Sequence, residues 1–179
     1  MKLLFKNYTI LSQEESKTIL ELRNKDYIRL NMQNTESIEM QKHLEWIETL
    51  KDDMSKEYFA LVLDEKIVGS CSWVRDEKDI ITWGIYFAQT ASPLVPSLSA
   101  YLFIEYLFKV KNNDTIKAYI RKENISAYKF NQHLGFILDT EDEIFYYVSL
   151  SKAQWLEQST HRFITSLTKY LGKIEYEFQ

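Results

Sequence analysis

Hydrophobic and polar positions change period several times along the chain, and each change marks an element. Phe5, Tyr8 and Ile10 form a short run that predicts a first strand. Ser12-Gln13-Glu14-Glu15 fits a capping box, with a serine oxygen for an orphan amide and a glutamate reaching back from three residues on. Ile19, Leu20 and Leu22 give the following helix a buried stripe, which Arg23-Asn24 ends. A second helix is expected after Asn34-Thr35, with Glu36 and Glu39 near its positive end. Its apolar positions Met40, Leu44, Ile47, Leu50 and Met54 step by 4, 3, 3 and 4 residues, which is helical spacing.

The middle of the chain shortens its period. Tyr58 to Leu63 predicts a buried strand, Asp64-Glu65-Lys66 a turn, and Ile67 to Val74 the returning strand. A polar turn over Asp76 to Asp79 leads into a third strand, Ile80 to Phe87, completing an antiparallel meander. Leu98 to Val110 is apolar on nearly every side and predicts a central buried helix. Thr115 to Ile120 reads as a strand, Asn124 to Leu134 as a helix closed by Gly135, and Ile144 to Leu150 as a further strand. Strands run together and then alternate with helices. The expected class is therefore α/β (α+β), a mixed and mainly antiparallel central sheet flanked by helices.

With no internal repeat or linker, residues 1–150 read as one domain and 151–179 as an extension. The chain is long enough for one substantial core, which 10 Phe, 12 Tyr and 4 Trp supply. A net charge of −4 argues against a nucleic-acid partner, because phosphate neutralisation needs a basic surface. The single cysteine, Cys71, lies inside a predicted strand and reads as a small buried hydrophobe rather than a nucleophile. It suits a reducing compartment. Met1 to Leu11 contains no apolar run of signal length, and Leu98 to Val110 is interrupted by Glu105 and Lys109. A cytoplasmic protein without a membrane partner is expected. His43, His133 and His161 are scattered outside any metal-ligand spacing, so no metal is expected either.

The chemistry concentrates in Asn124-Ile-Ser-Ala127-Tyr128-Lys-Phe130-Asn131-Gln-His-Leu134-Gly135-Phe136. An asparagine after a strand, a small residue three later and a closing Leu-Gly-Phe resemble the last signature of the GNAT superfamily of N-acetyltransferases. The element order over roughly Lys2 to Leu150 matches that fold, an acyl-CoA N-acyltransferase fold. Leu20-Glu-Leu22-Arg23-Asn24, His43-Leu44-Glu-Trp46-Ile47 and Ile144-Phe145-Tyr146-Tyr147-Val148 further resemble nucleotide-sugar N-acetyltransferases of the pseudaminic acid pathway. The resemblance implies acetyl-CoA as cofactor. It implies a small-molecule acceptor amine, the 4-amino group of a UDP-linked 4-amino-4,6-dideoxy sugar.

In such enzymes a neutral amine attacks the thioester, an oxyanion develops and a thiolate leaves. Backbone amides aimed at the oxyanion contribute most. By resemblance these lie along Ile85, Tyr86 and Phe87, and the cofactor's phosphates meet the start of the next helix at Pro96, Ser97, Leu98 and Ser99. Asn124 and Ala127 complete the cofactor-binding set.

Two departures stand out. The family's Gln/Arg-x-x-Gly-x-Gly/Ala loop corresponds to Ala91 to Ala100, which contains no glycine; serines and an alanine take the small positions. Many relatives also carry a tyrosine seven residues after the asparagine to protonate the thiolate, and here that residue is Asn131. Asn131 has no proton to give, though its amide can hydrogen-bond sulfur. Tyr128 lies about 60° away around the helix and is either a substitute acid or core. Glu77, Asp79 and Glu123 are candidate bases and, beside turns, equally ordinary solvated charges.

Arg23 and Asn24 are candidate acceptor-binding residues whose positions helix termination also explains. Ser159 is placed to cap a tail helix carrying Phe163, Ile164, Leu167, Tyr170 and Leu171, which Gly172 stops. Ile174, Tyr176 and Phe178 then alternate as a strand, to pair with an edge of the same domain or of a second subunit. The chain is accordingly expected as monomer or homodimer. Two alternatives remain at this level: an acetyltransferase of protein N-termini or small amines, and a CoA-binding module without turnover.

Overall fold

The computed structural model describes residues 2–158 and 162–179. The chain folds as two compact units, Met1–Val74 with Gly84–Ser92 and Ile174–Gln179, and Arg75–Trp83 with Pro93–Lys173.

In the first unit β1 (Lys2–Asn7) is followed by a 3-10 turn, Tyr8–Ile10, capped by the Asn7 side chain, which accepts from the Thr9 amide. The expected strand through Ile10 is therefore cut short. Helix α1 (Gln13–Arg23) opens with the capping box, Ser12 accepting from Glu15 N and Glu15 from Ser12 N. A short α2 (Asp26–Arg29) follows, and α3 (Met40–Leu50) begins after Glu39, later than Glu36 had indicated. Met54 falls outside α3 at 88% exposure, so the apolar face ends at Leu50. Strands β2 (Lys56–Leu63) and β3 (Lys66–Arg75) form a hairpin whose turn residues Asp64 and Glu65 both have positive φ.

β1 and β2 pair antiparallel, as do β2 and β3, while β8 (Glu175–Phe178) joins the outer side of β1 in parallel. The unit's strands run in the order β3-β2-β1-β8, and the later strand β4 (Ile81–Phe87) lies on the free side of β3. Tyr8, Ile19, Ile47, Leu50, Ala60 and Val62 form one core beneath α1 and α3, with Trp46 and Tyr58 at its margin.

The second unit has the order β6-β7-β5-β4. β4 (Ile81–Phe87) contributes its opening residues here, Ile81 and Thr82 pairing in parallel with Ile116 and Lys117 of β5 (Thr115–Arg121). The hairpin of β6 (Ile137–Glu141) and β7 (Phe145–Ser151) continues the sheet through the antiparallel β5–β7 pair. The separate strand β6 was not visible in the sequence, because all five of its residues are exposed.

Helix α4 (Leu94–Lys109) starts one turn before the apolar run that predicted it. Pro93 is its N-cap and Pro96 stands in its first turn, where a missing N–H leaves no helical bond unmade. Trp83 stacks on Phe136 with centroids 5.5 Å apart and lies 6.5 Å from Phe103 of α4. Helix α5 (Ile125–His133) ends in a Schellman motif: Phe136 N donates to Asn131 O, Gly135 N to Gln132 O, and Gly135 takes φ 94°. The tail adds α6 (Lys152–Gln158), which no sequence pattern marked, and α7 (Arg162–Leu171). Trp155 of α6 is buried and donates to Glu105 at 2.5 Å. The expected cap Ser159 lies outside the described residues. Among the described residues no helix is long and apolar enough to cross a membrane.

Candidate active site

The candidate residues divide between the units. Arg23, Asn24, Ile85, Tyr86 and Phe87 belong to the first; Pro96, Ser97, Leu98, Ser99, Asn124, Ala127, Tyr128 and Asn131 belong to the second.

In the first unit Arg23 and Asn24 end α1 and hold the loop that follows. Asn24 exchanges two hydrogen bonds with Ile38, Nδ2 to its carbonyl at 2.8 Å and Oδ1 from its amide at 3.0 Å. Its amide is thereby committed to the loop. Arg23 donates from Nη2 to the carbonyl of Asn34 at 2.8 Å, and Arg29 from Nη1 to that of Thr35 at 2.5 Å. Arg29 is neutralised by Asp26 at 2.8 Å. Arg23 has no carboxylate partner among the described residues, and its Nη1 is buried without an acceptor. Burial works against its charge, while Tyr86 and Tyr8 favour it.

Those tyrosines belong to a hydroxyl network. The Tyr8 hydroxyl lies 2.8 Å from Ser70 Oγ and 3.3 Å from the Tyr86 hydroxyl, and burial pushes both phenols up. Around Tyr8 stand His43 at 6.2 Å, Trp46 at 6.1 Å and Tyr58 at 5.8 Å between ring centroids. His43 is buried, its Nε2 has no partner among the described residues, and burial lowers its pKa. The sequence reading missed this cluster, whose members come from separate elements.

The backbone of β4 is approached closely by β3. A Cβ on Gly69 would stand 2.4 Å from the Tyr86 carbonyl oxygen and 2.9 Å from Phe87 Cδ1, so no larger residue fits. Ala88 N donates to Val68 O at 2.8 Å. Gly69 thus sets the path of the segment Ile85–Phe87.

In the second unit a helix beginning at Leu94 leaves the amides of Leu94 and Val95 without intrahelical acceptors. Pro96 offers no N–H. Leu98 and Ser99 sit deeper in the helix, both buried, and Ser99 Oγ has no partner among the described residues. No acidic residue stands in that first turn, so the positive end of α4 is uncancelled.

On α5, Asn124 is the N-cap, its Oδ1 accepting from Ala127 N at 3.1 Å. Asn131 is buried and donates from Nδ2 to Ala127 O at 2.9 Å, which leaves Oδ1 without a partner. Tyr128 is half-buried and stacks on Tyr146 of β7 with centroids 4.3 Å apart. The Tyr128 hydroxyl makes no hydrogen bond among the described residues.

Residues 9–149 match the family model described as an acetyltransferase (GNAT) domain. The chain is a GNAT acetyltransferase. It is 34% identical over 151 residues to the acetyltransferase PseH of Campylobacter jejuni serotype O:2, covering 83% of this chain and 93% of that protein. The crystal structure of Campylobacter jejuni PseH in complex with acetyl coenzyme A superimposes with a TM-score of 0.69 at 30% identity, over 84% of this chain and 99% of that one. FdhC, described as a nucleotide-linked sugar GNAT, gives 0.72 over 87% and 93% at 20% identity, a likeness of fold.

The GNAT chain uses acetyl-CoA, whose thioester supplies the acetyl group. Its residues fit that molecule without the family's glycines. The start of α4 offers free amides and an uncancelled dipole to phosphate. Asn131 Oδ1 is a buried acceptor lacking a donor, which an amide N–H of a pantetheine arm can supply.

Proposed function

We propose that the acceptor of this N-acetyltransferase is the amino group of a nucleotide-linked amino sugar, of the UDP-4-amino-4,6-dideoxy type. The similarity to PseH supports this reading, and the observation that carries it is Arg23. A half-buried guanidinium with no carboxylate partner among the described residues and one buried, unaccepted nitrogen calls for an anion. A nucleoside diphosphate supplies one; a polyamine or a lysine-rich peptide brings more positive charge to the same place. Trp46 and Tyr58, half-buried beside Tyr8, add apolar rings of the kind that flat bases and pyranose rings cover.

In this reading the main chain of Ile85, Tyr86 and Phe87 pairs with the pantetheine arm and directs amides at the developing oxyanion. Leu94, Val95 and the turn through Ser97 receive phosphate. Asn124 and Ala127 form the turn that aims α5, and Asn131 accepts from the arm. The amine nitrogen forms its bond to the acetyl carbon and gives up one proton to solvent water. The carbon–sulfur bond breaks, and the thiolate takes the Tyr128 hydroxyl proton, which water then restores. The buried, unpaired Cys71 accords with a cytoplasmic setting.

The test is thiol release from acetyl-CoA with a panel of amines. A UDP-4-amino sugar is expected to be turned over far faster than spermidine or a peptide N-terminus. Preference for either of the latter overturns the reading, and tight CoA binding with no turnover on any amine marks a binding module.

A further inference from the structure

Tyr128 leaves α5 half-exposed, and a tyrosine so placed keeps rotational freedom unless something fixes its ring. Tyr146 does so. The two rings are inclined by only 30° at 4.3 Å between centroids, closer than two rings in loose contact. Tyr146 stands on β7 between two neighbours, paired with Ile120 of β5 and Glu141 of β6, so it is carried by an interior strand. Lys122 Nζ lies 5.4 Å from the centroid of the Tyr146 ring and 3.3 Å from Glu141, close enough to restrain that ring too. The Tyr146 hydroxyl, like that of Tyr128, makes no hydrogen bond among the described residues, so the stack and the cation locate this ring.

We propose that Tyr146 is the positioning residue for proton delivery by Tyr128. This rests on Tyr128 being the acid. A phenol that protonates one sulfur atom must hold its oxygen in place as the carbon–sulfur bond breaks, and displacement of about 1 Å costs up to ~10²-fold in rate. The proton moves from the Tyr128 oxygen to the thiolate, and solvent water restores it. Tyr146 takes no part in the transfer; it sets the plane and reach of the ring that does. An asparagine at position 131 removes the family's usual acid, and an acid three residues earlier needs a support of its own.

The experiment is steady-state kinetics of the full chain, varying acetyl-CoA, for Tyr146→Leu, Tyr146→Met and Tyr146→Phe, each also in a Tyr128→Phe background. Thermal melts accompany each variant, so that the two aliphatic replacements cover a failure of either to fold. Tyr146→Leu or Tyr146→Met is expected to lower kcat about tenfold with KM for acetyl-CoA nearly unchanged. Tyr146→Phe, which keeps the stack, is expected to recover most of that loss. In the Tyr128→Phe background the aliphatic variants should cost nothing further. Full additivity there, or a Phe variant as slow as Leu, overturns the positioning role. A slow Tyr128→Phe beside a fast Tyr146→Leu rejects this proposal alone; a fast Tyr128→Phe rejects it together with the acid assignment.

Discussion

Asn131 turns its side chain back onto its own helix, donating to the carbonyl of Ala127 at 2.9 Å and leaving Oδ1 buried with no donor among the described residues. A buried acceptor without a donor costs roughly 1–3 kcal/mol, and exchange for an apolar group of similar shape removes that cost. Asn131→Leu is therefore expected to raise the urea midpoint of the free protein while raising KM for acetyl-CoA several-fold. Unchanged cofactor kinetics would separate Asn131 from the pantetheine arm.

The acid assignment has its own rescue. Tyr128→Phe should lower kcat by one to two powers of ten, roughly the contribution of a general acid. Adding Asn131→Tyr returns a phenol to the family's usual position and is expected to recover part of that loss. A double variant as slow as Tyr128→Phe alone would indicate that the phenol at 131 does not reach the sulfur.

Arg23 separates the two substrates. Arg23→Gln keeps a donor for the Asn34 carbonyl but deletes the charge. Hydrogen bonds to charged groups are worth about 1.5–3 kcal/mol, so KM for the nucleotide sugar should rise roughly 10- to 100-fold with KM for acetyl-CoA unchanged. Arg23→Lys, which keeps charge without the planar fork, should fall between. An equal rise in both constants would show a loosened fold instead.

His43 gives the protein a pH dependence of known sign. Burial lowers its pKa from 6.5, so between that value and its folded-state pKa the unfolded chain binds more protons than the folded one. Stability then rises with pH through this window and is lost as pH falls below about 6.5. Asp53, held at about 2 by its hydrogen bonds from Lys56 and Ser55, acts in the same direction but only below its ordinary 3.8. Urea midpoints at pH 7.5 and 5.5 should therefore converge in His43→Gln relative to the parent chain. An equal acid loss in both would assign the effect elsewhere.

The legible parts of the fold are those whose signal is local. Ser12 and Glu15 make their capping box, and Gly135 with Phe136 closes α5, because caps need only neighbours in the chain. Met54 misled because its spacing continued a helix that Leu50 had already ended. Strand β6 was hidden because an edge strand exposed on both faces has no alternation to show. On α5, Asn124 and Ala127 stood out through their resemblance to a family signature, and the structure joins them as a helix cap. Gly69 did not, since the atom that forbids a side chain there belongs to Tyr86, and Tyr8 depends on Ser70, 62 residues on. Tyr146 entered the sequence reading as part of a strand and acquires its role through the ring it meets.

The tail supplies the last prediction. Phe178 stacks on Phe5 with centroids 4.1 Å apart and meets Phe59 edge-on at 5.7 Å, where β8 lies parallel to β1 with Phe5 opposite Phe178. Two main-chain bonds continue the ladder: Gln179 N to Phe5 O at 2.9 Å and Asn7 N to Gln179 O at 2.8 Å. The Lys2–Glu177 pair at 3.7 Å is exposed and adds little. The apolar contacts therefore carry the attachment. Phe178→Ala, at a half-buried site, should cost about 1–2 kcal/mol, below the 3–5 typical of a fully buried phenylalanine. Truncation after Gly172 should cost more, because it also strips the ladder from β1 and exposes Leu3 and Phe5. If β8 serves its own chain, light scattering gives the same mass for the truncated and full-length proteins at a lowered urea midpoint. A dimer that becomes a monomer on truncation would instead make β8 an element of subunit association.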